Sequence, residues 1–105
     1  MVFFLYESYD RDEVEQAILK LGYEKTEFEV FGHIAYQYIK DDIIINLTSP
    51  SEGRIQIQGE GVTDLYRNKE QSPHYQTLED LARAIKPKRV VDSNVQDMFP
   101  ELANL

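Results

Sequence analysis

Amide side chains are the residue type whose spacing in this chain most clearly suggests chemistry. Asn46, Gln56 and Gln58 alternate with aliphatic residues in the stretch IIINLTSPSEGRIQIQG, residues 43–59, and Gln37 has an equivalent position in the preceding IAYQYIK, residues 34–40. Residues two apart on a strand share one face of a sheet. Amides donate and accept hydrogen bonds without carrying charge, so this row could bind a peptide, a base edge or a sugar. It could equally be the solvated side of a one-sided antiparallel sheet.

Patterns typical of catalytic and metal sites are missing from the sequence. There is no cysteine, and the two histidines, His33 and His74, lie far apart in the chain. No zinc-ligand spacing, glycine-rich phosphate loop or nucleophile-elbow serine is present. We therefore expect no catalytic residue, no metal and no cofactor. The enzymatic alternative is a weak enzyme or small-ligand binder that uses the 60–76 connection with Arg67, His74 and Tyr75.

Charge and composition limit the classes of partner. The formal net charge of the 105 residues is −8, and an acidic chain repels phosphate, so we expect no direct binding to nucleic acid. No long apolar run is present, which predicts no membrane span or signal peptide. The absence of cysteine fits a reducing compartment. These features together predict a cytoplasmic protein.

Apolar residues at helical spacing predict two amphipathic helices, at about residues 11–21 and 78–86. Asp10 is the predicted N-cap of the first, and Gly22 marks its end. Thr77 is the predicted N-cap of the second. Each helix has one apolar stripe, so both are expected to pack on one face of a sheet.

From residue 23 to residue 59 the apolar period changes to two, which predicts a four-stranded antiparallel meander. The predicted connections are a three-residue loop at 31–33, a two-residue turn at 41–42 and a five-residue loop at 49–53. An N-terminal strand in VFFLYES is a candidate for joining this sheet. The predicted fold class is therefore α+β.

The three connections predict a register for the meander. The first places Val30 opposite Ile34, the second Tyr38 opposite Ile45, and the third Leu47 opposite Ile55. All three agree on one apolar face, which holds Thr26, Phe28 and Val30 of the first strand. The outward face then carries three predicted rows: Glu27, Gln37, Asn46 and Gln56 in the first, Ala35, Thr48 and Arg54 in the second, and Ile39, Ile44 and Gln58 in the third.

Ile39 and Ile44 lie side by side on this outward face, where two exposed isoleucines are unfavourable unless something covers them. The tail, the 60–76 connection or a partner could do so. We assign residues 1–90 to a single domain and residues 91–105 to a C-terminal tail, either folded back or partner-binding. Met98 and Phe99 are the candidate anchors of that tail.

The predicted function is that of a small acidic cytosolic protein without enzymatic activity. It acts through protein–protein contacts as an accessory, regulatory or immunity-type factor, with a protein partner or a second copy. The first alternative is an inhibitor that imitates nucleic acid, since Asp10, Asp12, Glu13 and Glu15 crowd one region. The predicted binding residues are Gln37, Ile39, Ile44, Asn46, Gln56, Gln58, Met98 and Phe99.

Overall fold

The computed structural model describes residues 2–47, 53–59, 73–92 and 100–104. These residues form six strands, two α-helices and a short C-terminal 3₁₀ helix at Pro100–Asn104. The strands are β1 (Val2–Leu5), β2 (Glu24–Val30), β3 (His33–Lys40), β4 (Ile43–Leu47), β5 (Arg54–Gly59) and β6 (Arg89–Asp92). The helices are α1 (Arg11–Lys20) and α2 (Pro73–Ile85).

The strands form one antiparallel sheet in the order β2-β3-β4-β5-β1-β6. The predicted α+β class with an antiparallel sheet is confirmed, and the N-terminal strand joins the sheet between β5 and β6. The four-stranded meander is part of a wider sheet of six strands. The sequence does not predict β6, because its four residues follow Lys86-Pro87-Lys88 and are too few to show a period.

The core lies between one face of the sheet and the two helices. Strand residues alternate in burial, as expected for a sheet covered on one side. The strands contribute Val2, Phe4, Tyr38, Ile43, Ile45, Ile55 and Ile57 to this core. The helices contribute Val14, Ile18, Leu78, Leu81, Ala82 and Ile85. Leu102 of the 3₁₀ helix is also buried in it.

Helix α1 begins and ends at the predicted signals. Asp10 is its N-cap, and the carboxylate of Asp10 accepts a hydrogen bond from the backbone N–H of Glu13 at 3.0 Å. Gly22 follows the helix with φ of 93°, in the region that glycine adopts without a steric penalty.

Helix α2 is longer than its apolar stripe indicates. It begins at Pro73, not near residue 78, so Thr77 lies inside the helix and is not its N-cap. Proline is favoured in the first turn, where its missing N–H has no partner to lose. The predicted 60–76 connection is therefore helical from Pro73 onwards, and its residues 60–72 lie outside the described residues.

The predicted register is wrong in the first hairpin and correct in the other two. Val30 pairs with His33 and Phe28 with Ala35, because the turn has two residues where three were predicted. This shifts β2 by one residue, so that Thr26, and not Glu27, is opposite Gln37. In the next hairpins Tyr38 is opposite Ile45, and Leu47 is opposite Ile55, as predicted.

Candidate functional site

The face of the sheet that points away from the helices, which we call the open face, carries the predicted amide row. Gln37, Asn46 and Gln56 are paired directly across β3, β4 and β5. Phe3 of β1 and Val91 of β6 extend this row beyond the predicted meander. Glu27, which was predicted in the row, is replaced there by Thr26 because of the one-residue shift of β2.

A second row on the open face joins Ile39, Ile44 and Gln58, as predicted. These three residues and the amides are partly buried. Both described α-helices pack on the opposite face. The structure therefore places the six predicted sheet residues together, while their role in binding stays a prediction. Met98 and Phe99, the predicted anchors of the tail, lie outside the described residues.

The turn between β2 and β3 exposes the most accessible large apolar side chain among the described residues. Phe31 is 97% exposed, and Ile34, three residues later, is 64% exposed. Phe31 and Gly32 both have positive φ, 50° and 80°, as in a type I′ turn. Asparagine and glycine suit the first position of such a turn, whereas phenylalanine has a steric penalty there.

Acidic side chains flank these apolar groups. Glu29 is paired with Ile34, and Glu27 with Tyr36, across the two strands of the hairpin. Both glutamates are exposed, and neither has an ion pair or hydrogen bond through its side chain among the described residues. We call Glu27, Glu29, Phe31 and Ile34 together the hairpin tip. Its surface is apolar at the end and negative along one side.

The base of the hairpin is attached to α1 by a polar cluster. The Oε1 atom of Glu15 lies 2.5 Å from Nζ of Lys25 and accepts a hydrogen bond from Oη of Tyr38 at 3.0 Å. The guanidinium carbon of Arg11 lies 3.8 Å from the centroid of the Tyr36 ring. These contacts connect the first half of α1 to both strands, so the hairpin is fixed at its base while its tip is exposed.

Protonation states in this cluster indicate a structural role. The ammonium of Lys25 lowers the pKa of the Glu15 carboxyl, and the hydrogen bond from Tyr38 acts in the same direction. Burial raises the pKa of Tyr38 to about 12, and the neighbouring carboxylate also raises it. Near neutral pH Glu15 is charged and Tyr38 is neutral. In these states the phenol donates a hydrogen bond to the carboxylate, and no proton transfer is needed.

Of the residues named in the enzymatic alternative, the structure describes His74 and Tyr75, which are neighbours in the first turn of α2. His33 begins β3, and His74 is in the first turn of α2. The hydroxyl of Tyr75 donates to Oε1 of Glu101 at 3.2 Å, and Arg67 lies outside the described residues. Over the described ranges, no group of three or more histidine, aspartate and glutamate side chains could hold a metal ion.

Comparison of the chain with protein-family models, with curated proteins and with solved structures finds no match. Function is therefore argued from the residues of this chain. Within the part of the chain that the structure describes, no helix is long and apolar enough to cross a membrane.

The hairpin tip is the feature that sequence reasoning missed. The sequence contains a signal for it, because Phe31-Gly32 occupies a two-residue turn where Asn-Gly is the favoured pair. The signal is weak, because a loop phenylalanine can also fold back onto a core. Its 97% exposure distinguishes the two cases.

Proposed function

We propose that this chain is a small acidic, non-enzymatic protein that binds another protein through its hairpin tip, as an accessory, regulatory or immunity-type factor. The observation that carries the proposal is Phe31, exposed to 97% at positive φ. The cytoplasm is the proposed compartment, on the cysteine-free composition.

The energetics of Phe31 support binding over a role in folding. A phenyl group contributes about 1.5–3 kcal/mol when it is fully buried, and Phe31 gains almost none of this in the free protein. Its left-handed backbone adds a penalty of roughly 1 kcal/mol that asparagine or glycine would reduce. A partner pocket that buries the ring would provide this burial energy, and aromatic anchors of this kind dominate many interfaces.

The proposed partner surface is an apolar pocket with basic residues at its rim. Phe31 and Ile34 would fill the pocket, and the carboxylates of Glu27 and Glu29 would face the rim. The net charge of −8 would steer such a partner towards this protein. Gln37, on the open face of the same hairpin, could extend the contact along the predicted amide row.

The nucleic-acid mimic ranks second. It relies on four acids of the first helical region, and two of them have local roles. Asp10 caps α1, and Glu15, only 9% exposed, pairs with Lys25 and Tyr38. Glu15 is therefore withdrawn from solvent, and the three exposed carboxylates that remain, on Asp10, Asp12 and Glu13, are fewer than a phosphate-like array would use.

Photo-crosslinking tests the proposal. Phe31 is replaced by p-benzoylphenylalanine in the full chain, and the matched control carries the same residue at Leu19, an exposed apolar position on α1. We expect a defined adduct from position 31 that is absent from position 19. Unlabelled wild-type protein should compete for it, and the Phe31→Ala variant should not. An adduct with a second copy would identify a homo-oligomer.

Identical adducts from the two positions would contradict the proposal. Equal competition by the wild type and the Phe31→Ala variant would also contradict it, because binding would then not depend on the phenyl group.

A further inference from the structure

The outer edge of β2 is the longer of the two edges of the described sheet. The end strands are β2, with seven residues, and β6, with four. Strand β3 pairs with one side of β2 in an uninterrupted register. Among the described residues, no strand pairs with the other side. A long edge of this kind is able to pair with a strand of another chain.

The turn between β2 and β3 determines which backbone groups of β2 point outward. The two residues that flank a two-residue turn are hydrogen bonded to each other, here Val30 and His33. Hydrogen-bonded and non-hydrogen-bonded pairs alternate along an antiparallel ladder. The backbone N–H and C=O groups of Lys25, Glu27 and Glu29 are therefore directed to the outer edge.

The charges of β2 favour one register for a second copy of this chain. A twofold axis would pair the two β2 edges antiparallel, with the axis between the two copies of one residue. With the axis at Thr26, Lys25 of each copy is opposite Glu27 of the other. Opposite charges directly across two strands stabilise the pair, and like charges destabilise it.

The neighbouring registers all place like charges together. With the axis at Lys25, the two lysines are opposite each other. With the axis at Glu27, the two glutamates are opposite each other, and with the axis at Phe28, Glu27 is opposite Glu29. Of these four registers, the one centred on Thr26 alone pairs unlike charges without a like-charge pair.

The two charged side chains are available for this pairing. Glu27 is exposed and has no ion pair among the described residues. Lys25 is also exposed, and its ammonium contacts Glu15 of its own chain. Because an ammonium has three donors, it can also bind a second carboxylate. Charged side chains often protect a strand edge from pairing, but those of β2 are of both signs and complement one another in one register.

We propose that the outer edge of β2 binds the same edge of a second copy, across a twofold axis at Thr26, so that the two six-stranded sheets become continuous. The Lys25–Glu27 pairs would exchange about four backbone hydrogen bonds. The interface is small, so we expect micromolar or weaker affinity. Phe31 lies beyond the paired residues, so this proposal and the proposal for the hairpin tip can fail independently.

Cysteine crosslinking tests the register. The chain has no cysteine, so a single introduced thiol reports on one position. Thr26→Cys places the two thiols side by side at the axis, in a non-hydrogen-bonded pair, where side chains are closest. The matched control is Glu24→Cys, on the same face of β2. Its two thiols would be displaced by four residues, roughly 13 Å along the strand, which is too far for a disulfide.

In a glutathione redox buffer we expect a disulfide-linked dimer from Thr26→Cys and little or none from Glu24→Cys. Equal crosslinking of the two variants, or no crosslinking of Thr26→Cys, would overturn the proposed register.

Sedimentation velocity tests the dimer without a crosslink. The sedimentation coefficient of the wild type should rise between about 10 µM and 1 mM, the range expected for a small interface. Glu27→Lys should weaken the dimer roughly fivefold or more, because two pairs of opposite charge become pairs of like charge. Glu13→Lys, the same change at an exposed position on α1, should not weaken it.

A wild type that stays monomeric over this range would overturn the proposal. Equal dimerisation of the wild type and Glu27→Lys, or equal weakening by the two lysine variants, would also overturn it, because the Lys25–Glu27 pairs would then not hold the dimer.

Discussion

Replacing Phe31 by asparagine should stabilise the free protein while it weakens partner binding. Phe31 has φ of 50° in a turn whose next residue is Gly32, and Asn-Gly is the preferred pair for such turns. The left-handed conformation costs an ordinary residue about 1–2 kcal/mol, of which asparagine relieves a part. We therefore expect a gain of roughly 0.5–1 kcal/mol from the backbone.

The loss of the ring hardly offsets this gain. Because Phe31 is 97% exposed, only a few Å² of the roughly 150–250 Å² of a phenylalanine are buried, equivalent to about 0.2 kcal/mol or less. The net gain corresponds to a rise in melting temperature of roughly 4 °C for a domain of this size.

Thermal and urea unfolding of the wild type, Phe31→Asn and Phe31→Ala measure this effect. Alanine removes the ring but keeps the backbone strain, so Phe31→Ala should unfold within about 0.5 kcal/mol of the wild type. If Phe31→Asn instead lowers stability by more than about 0.5 kcal/mol, the ring makes a stabilising contact in the free protein. The reasoning from its exposure would then be refuted.

Three further predictions concern the framework that holds the tip. The pKa of Glu15 in the folded protein lies below its ordinary value of 4.5, so the carboxylate stabilises the fold above about pH 4.5 and loses this contribution as the pH falls through the folded pKa. Glu15→Gln should therefore flatten the acidic part of the stability–pH curve measured by urea unfolding, and an unchanged curve would contradict the pairing with Lys25 and Tyr38. Gly53→Ala should lower the free energy of unfolding in urea by about 2 kcal/mol or more, because φ is 65° and a Cβ would meet the carbonyl oxygen of Tyr6. A variant as stable as the wild type would refute the close approach of the Gly53 and Tyr6 backbones. Ile45→Ala should lower the free energy of unfolding by roughly 2–5 kcal/mol in the same assay, because Ile45 is fully buried. Ile44→Ala should lower it clearly less, because Ile44 is on the open face, and equal losses of stability would contradict the register.

The middle of the sheet could be predicted because burial determines its register. In β3, β4 and β5, a shift by one residue would move Tyr38, Ile45 and Ile57 from the core to the open face. The short connection between β3 and β4 allows few alternative registers, so the burial pattern and the turn length predict the same register there. The same agreement placed Gln37, Asn46 and Gln56 in one row, as the structure confirms.

The first hairpin could not be predicted in this way, because its end has little buried surface. Ile34 is 64% exposed and Phe31 almost fully exposed, so neither a two-residue nor a three-residue turn loses core contacts. Register is weakly specified where neither face is buried. The hairpin tip could not be predicted for the same reason, because the sequence does not distinguish an exposed phenylalanine from a buried one.

The start of α2 and strand β6 were missed for local reasons. Pro73 falls within the predicted connection, although proline is also favoured in the first turn of a helix. Strand β6 consists of Arg89–Asp92 and pairs only with β1 among the described strands, so its existence depends on long-range pairing that a four-residue pattern cannot indicate.

The most direct test of the central claim is the affinity for the partner identified by crosslinking at position 31. Titration calorimetry would compare the wild type with Phe31→Ala, using Leu19→Ala as the exposed apolar control. The account predicts at least about a tenfold loss of affinity for Phe31→Ala, as expected for an aromatic anchor, with no loss for Leu19→Ala. Equal affinities of all three proteins would contradict it.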